Sequence, residues 1–194
     1  MKFLRLLPLL LCGFLSLSPA SALTALQAKA VAEKQLSAQS KNRLIAIYGP
    51  RSVTQLKPDV WKFVFLDPTA SQRGRLITVS GSAVSEIRDG YFELDRLRLA
   101  AYKQEEVIEP ARLKIDSNAA YDVVAKSAQL SSVKMSTVVF ALRKDGKGAA
   151  APVWHLTLFA DKAGKEANIG QAKVSAETGR VLSMNLQLEK LTKK

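Results

Sequence analysis

Two stretches of this chain run through the same residue types in the same order at the same spacing, and a chain that repeats itself is restricted to architectures that use one pattern twice. The repeat is anchored by Trp61 and Trp154, 93 positions apart. Each Trp opens an apolar strand pattern, Trp61-Lys-Phe-Val-Phe65 and Trp154-His-Leu-Thr-Leu158. Each strand leads into a turn headed by Asp67 or Asp161, and a Val-Ser pair follows, Val79-Ser80 or Val174-Ser175. Thr24 and Ser117, each 37 positions before its Trp, stand at the head of Ala-rich stretches.

Those Ala-rich stretches read as helices. Thr24-Ala-Leu-Gln27 has the form of a capping box, in which the hydroxyl serves a free backbone N–H and the Gln reaches back. Leu26, Ala28, Ala30, Val31 and Leu36 supply an apolar side, and the helix should fade by 40–42. Asp116-Ser117 caps a second helix with Ala120, Tyr121, Val124, Ala125 and Ala128 turned inward. After each helix the period changes to two. Strands are expected at 44–48, 53–56, 60–66, 75–80 and 83–88, then at 133–143, 152–160, 169–175 and 180–188. Lys144-Asp-Gly146, 161–164 and Glu177-Thr-Gly179 mark the later turns. The expected fold is therefore α+β: two repeated units, each an N-terminal helix packed on its own antiparallel β-meander sheet. The units span 23–90 and 116–194, with a charged connector at 91–115 and a frayed basic end at 190–194.

The first residues have the layout of a secretory signal peptide. Lys2 and Arg5 precede an apolar run from Leu6 to Leu17, and small residues end at Ala20-Ser-Ala22, after which cleavage is expected. The run is too short for a membrane span and no stop-transfer segment follows it. Cys12 suggests a lipid anchor, but Leu11 stands where that processing requires a small residue. Removal of residues 1–22 removes the only Cys, so a mature chain of about 170 residues depends on its core rather than on disulfides. That points to a bacterial periplasm or a secreted location. Lys plus Arg exceed Asp plus Glu by 29 to 17, which leaves a mature excess of ten. Such a balance favours acidic proteins, lipid headgroups or cell-wall polyanions as neighbours. Nucleic acid is not expected, because no basic motif interleaved with stacking aromatics occurs.

Ala172-Lys-Val-Ser-Ala-Glu-Thr-Gly-Arg-Val-Leu182, a strand that passes through an acidic, Gly-containing turn into another strand, together with the capped Ala-rich helix and the Trp-led strand, resembles the PepSY-type pattern. Residues 116–188 carry the better match. The first copy departs from it where Gly81-Ser-Ala83 replaces the longer Ala176-Glu-Thr-Gly-Arg180. PepSY-like modules are similar to parts of the propeptides of thermolysin-type metallopeptidases, and the resemblance implies a non-catalytic binding module that inhibits or regulates an envelope peptidase.

The residues themselves offer little chemistry. No metal or other cofactor is expected, since the mature chain has one His and no Cys. His155 follows Trp154 in a strand, so the two point to opposite faces, and a solvated histidine is the plain reading beside that of a pH-sensitive contact. Nucleophilic catalysis would need a base beside a Ser, and Gly81-Ser82 lacks the nucleophile-elbow pattern. Asp67 and Asp161 occupy matching places, yet Asp commonly starts turns. Trp61 and Trp154 suit core anchors between helix and sheet. No catalytic residue is assigned. The candidate binding residues are Arg143, Lys144 and Lys147 at one hairpin and Lys162 and Lys165 at the next, although successive turns of a meander alternate ends. The leading expectation is an exported, non-catalytic binding or regulatory protein; the alternative is a basic protein that binds polyanions or lipid headgroups.

Overall fold

The computed structural model describes residues 22–90, 103–146 and 150–192. The expected signal peptide at 1–22, apart from Ala22, lies outside these residues, as do Lys147 and the first part of the connector. In chain order the elements are α1 (Ala25–Ala32), β1 (Leu44–Gly49), β2 (Val60–Leu66), β3 (Gly74–Ser80), β4 (Ala83–Asp89), α2 (Ser117–Ala125), β5 (Met135–Lys144), β6 (Pro152–Lys162), β7 (Lys165–Ser175), β8 (Val181–Leu186) and the single turn α3 (Glu189–Thr192).

The strands form one antiparallel sheet of eight, in the order β4-β3-β2-β1-β5-β6-β7-β8. This overturns the expectation of two separate helix-plus-meander units. β1 and β5 hydrogen-bond to each other, with Ile47 opposite Leu142 and Gly49 opposite Phe140, so neither stretch has a sheet of its own. One cross-strand row makes the continuity plain. Ile87, Ile77, Phe63, Ile47, Leu142, Trp154, Val174 and Val181 are consecutive partners from one edge to the other. The six inner members are wholly buried, and only the edge residues Ile87 and Val181 emerge. A single core cluster therefore takes in side chains from both stretches.

The helices are short and cover one face of this sheet. α1 packs on β2, β3 and β4, and α2 on β6 and β7. The tryptophans fix the junction. Trp61 donates from Nε1 to the Leu23 carbonyl at 2.9 Å and Trp154 to the Ile115 carbonyl at 2.8 Å, so each buried indole keeps its N–H satisfied just ahead of a helix. Phe140 on β5 lies between them, with ring centroids 5.7 Å from Trp61 and 6.1 Å from Trp154. Gly49 has no side chain because the Trp61 ring occupies that space: a Cβ there would come within 2.5 Å of it.

The capping box at Thr24 forms as the sequence indicates, with Gln27 N–H donating to the Thr24 hydroxyl and the Gln27 side chain accepting from Thr24 N–H. Asp116 does more than cap α2. It accepts from Ser117 N–H at 2.6 Å and, across the molecule, from Leu26 N–H at 3.1 Å and the Thr24 hydroxyl at 2.5 Å. Two positive helix ends thus meet on one carboxylate, a favourable placement for a negative charge.

Other expectations need local correction. Residues 53–56 form no strand; they lie in an irregular loop, Val53 is 88% exposed, and Leu56 accepts a hydrogen bond from Val138 N–H. The connector is not a free linker over its described part. Ile108 N–H donates to Leu44 O, Lys114 and Ile115 N–H donate to Ala176 O, and Arg112 pairs with Glu177 at 2.9 Å. The basic end carries the turn α3 rather than a frayed tail as far as Thr192.

Candidate functional site

The sheet face opposite the helices changes character along its width. The row next to the apolar one runs Glu86, Thr78, Lys62, Tyr48, Ala141, His155, Lys173 and Ser183, and side-chain alternation turns it to this second face. Around β1 to β3 the face is closed apart from the partly exposed Lys62: Ile45, Tyr48, Val64, Leu66 and Leu76 form a buried apolar cluster. Around β5 to β7 it is open. His155, Thr157, Phe159 and Lys173 are all partly exposed there.

An ionic cluster stands at one end of this open region. The β5–β6 turn brings Asp145 back over the face, where Lys173 Nζ meets Oδ2 at 2.7 Å, His155 Nε2 meets Oδ1 at 3.1 Å and Arg143 Nε approaches Oδ1 at 3.9 Å. Only the lysine contact is a well-formed hydrogen bond. His155 Nε2 and Arg143 Nε are buried atoms without one, and at 3.9 Å the Arg143 nitrogen lies beyond hydrogen-bond reach of the carboxylate. Burial raises the Asp145 carboxyl, but the Lys173 hydrogen bond and the neighbouring positive charges outweigh it and hold the group below the ordinary carboxylate range. Burial lowers His155, Arg143 and Lys173 lower it further, and Asp145 offsets only part of this. At neutral pH the imidazole is therefore neutral. The cluster then holds two cations and one anion, and it gains a third cation on acidification.

A polar cleft of about 350 Å³ lies at the opposite end of the open region, lined by Arg51, Thr54, Gln55, Ser136 and Glu166 among others. Glu166 is held by Arg51 at 2.6 Å and by the Ser136 hydroxyl at 2.8 Å, and the Arg51 guanidinium sits 5.6 Å from the centre of the Phe159 ring. Asp161, beside this cleft, lies six positions along β6 from His155. At the rise of an extended strand that is about 20 Å.

The candidate residues from the sequence divide between these ends. Arg143 joins the Asp145 cluster. Lys144 points away from it and fastens the connector, donating to Glu105 O at 2.7 Å. Lys147 lies outside the described residues. Lys162 and Lys165 sit in the β6–β7 turn at the far end of the sheet, where Lys162 donates to Lys190 O at 2.8 Å and Lys165 is exposed. The four described candidates, Arg143, Lys144, Lys162 and Lys165, thus make no single patch. The members that sequence reasoning missed are Asp145, noticed only as a turn residue, and Lys173. The register that places Lys173 opposite His155 is the signal that would have found it.

The paired carboxylates serve structure. Asp67 is wholly buried and accepts from Thr69 N–H at 3.0 Å and from its hydroxyl at 2.7 Å, with Arg75 at 3.0 Å. Burial raises this carboxyl, yet the Thr69, Ser40 and Arg75 contacts together hold it low. Asp161 accepts from Gly164 N–H at 2.9 Å in a turn at the other end of the sheet. Among the described residues no three His, Cys, Asp or Glu side chains come together to hold a metal, and no hydroxyl hydrogen-bonds to His155. No family model, curated protein or solved structure matches the chain.

Proposed function

We propose that the chain is a non-catalytic binding protein of the cell envelope that uses the open face of β5 to β7 to hold an acidic segment of a protein partner, in the regulatory manner that the PepSY-like resemblance implies. The observation that carries this reading is the asymmetry of the sheet. One face is buried from β3 to β7 beneath the helices, whereas the second is closed only around β1 to β3 and stays half-exposed around β5 to β7. Half-exposed apolar and polar side chains between two ionic ends have the mixed composition of a docking surface, in which a few anchors bind and a charged rim sets orientation. The positive excess of the chain favours an acidic partner. Export rests on the signal-like first residues.

Site-specific photo-cross-linking in the producing cells tests this. A cross-linker at Gln171, exposed on the open face, should trap one discrete protein. The same group at Val123, exposed on α2, should not. Equal trapping from both positions, or none from Gln171, would remove the docking face. The polyanion reading keeps a separate signature: its binding would fall steeply as salt rises, because exposed charges more than a Debye length apart are screened.

A further inference from the structure

We propose that Arg143, His155 and Lys173 form a binding site for an anionic oxygen group, the chemistry shared by a carboxylate and a phosphate, with Asp145 as its resident competitor. The site lies on the docking face and deepens that reading by naming the group which the face takes. Three observations point to it. Three nitrogen groups from three positions of the sheet converge on one carboxylate that satisfies only Lys173 by a proper hydrogen bond. Two of those groups, Arg143 Nε and His155 Nε2, are buried nitrogens without a hydrogen-bond partner, which is costly unless a ligand or water supplies one. The side chains of Arg143 and Lys173 are 36% and 43% exposed, so both are accessible to an incoming anion. A guanidinium and an ammonium arranged in this way match an oxyanion through charge-assisted hydrogen bonds.

Binding should be linked to a proton. The charged groups that face His155 are Arg143 from β5, Asp145 from the β5–β6 turn and Lys173 from β7; β8 brings the uncharged Ser183. An anion added to this set favours imidazolium. By reciprocity, a protonated His155 binds the anion more tightly. Affinity should therefore rise as pH falls through the range in which His155 titrates.

His155 is the only histidine in the chain, so its imidazole NMR signals report on the site without ambiguity. The intact chain is titrated across that range with inorganic phosphate in one arm and an acetylated triglutamate peptide in the other. A saturable shift of the His155 signals is expected, with the imidazole titration moved to higher pH when the anion is present. Saturation by phosphate alone, by the peptide alone or by both supports the site and identifies its source. Arg143→Ala should weaken binding about tenfold, the effect of one lost hydrogen bond to a charged group. Asp145→Asn should tighten it, which a purely structural role for Asp145 would not produce. No saturable shift with either anion, or unchanged binding in the Arg143→Ala/Lys173→Ala chain, overturns the proposal. Gln171 cross-links that persist while neither anion moves His155 would remove the anion site and leave the docking face. Anion binding without Gln171 cross-links would do the reverse.

Discussion

In β1 to β3 the face turned away from the helices carries Ile45, Tyr48, Val64, Leu66 and Leu76, all buried, whereas in β5 to β7 the same face carries His155, Thr157 and Lys173, all partly exposed. The helix face does not differ in this way. Trp61 and Trp154 are both buried, both donate to a carbonyl ahead of a helix, and both touch Phe140. The acidic residues at the shared end of the sheet repeat the contrast. Asp67 is enclosed and holds a turn, while Asp145 gathers cations on an open surface. A sheet region buried on both faces contributes stability at the cost of presenting nothing, and a region buried on one face keeps a surface for recognition. The two regions are divided in that manner.

The aromatic core is where the regions should behave alike. Trp61→Ala and Trp154→Ala should each destabilise by about 3–5 kcal/mol, the range for truncating a buried large aromatic, as read from urea midpoints. A loss below about 1 kcal/mol for either one would mean that the two regions do not share a core through Phe140.

The second face is where they should part. Leu76→Ala should cost about 2–5 kcal/mol because it empties a closed apolar cluster. Thr157→Ala, on the open side, should stay within about 0.5 kcal/mol of the parent. Similar values for the two would show that the open region is in fact enclosed and would break the comparison.

Asp116 ties the two helices and predicts a smaller effect. An ordinary N-cap loses about 1 kcal/mol on replacement by Ala, and this carboxylate serves both α1 and α2, so Asp116→Ala should lose about 2 kcal/mol. Asp116→Asn should recover part of that loss, since an amide oxygen still accepts from one helix end. A change confined to a single cap's worth would show that the contact across to Leu26 contributes little.

Much of the local structure was legible because it depends on neighbours in sequence. The Thr24 capping box, the Asp-led turns and the opposite facing of Trp154 and His155 follow from spacing alone. The single sheet was not read, although β1 held the clue. Leu44-Ile-Ala-Ile-Tyr48 is a continuous apolar run without alternation, and every residue of β1 is buried. Such a run marks a strand covered on both faces, whereas an edge strand of a small meander would alternate. The repeat drew attention to what each stretch can form by itself, and the β1–β5 pairing is a contact between stretches that no internal spacing encodes. The Asp145 cluster was hidden for the same reason. Lys173 lies 28 residues beyond Asp145, and only the β6–β7 register brings them together.

The last and smallest effect separates the open region from the closed one by acidity. The folded protein holds His155 below its ordinary value of 6.5, chiefly through burial and then through Arg143 and Lys173. Between that lowered value and 6.5 the unfolded chain binds a proton that the folded chain refuses, so stability rises with pH in this window. The contribution is fully present above 6.5 and is lost as pH falls through the folded value. Asp67 and Asp145, both held below 3.8, begin to weaken the fold only in stronger acid, and the chain has no second histidine, so the slope near neutrality belongs to His155. Urea midpoints measured from about pH 7.5 to 5.5 should decline for the parent and stay level for His155→Gln. A parent curve that is flat, or that rises on acidification, would mean that Asp145 outweighs burial and that the imidazole is already charged. The open cluster would then be a closed ion pair of the kind that Asp67 makes with Arg75.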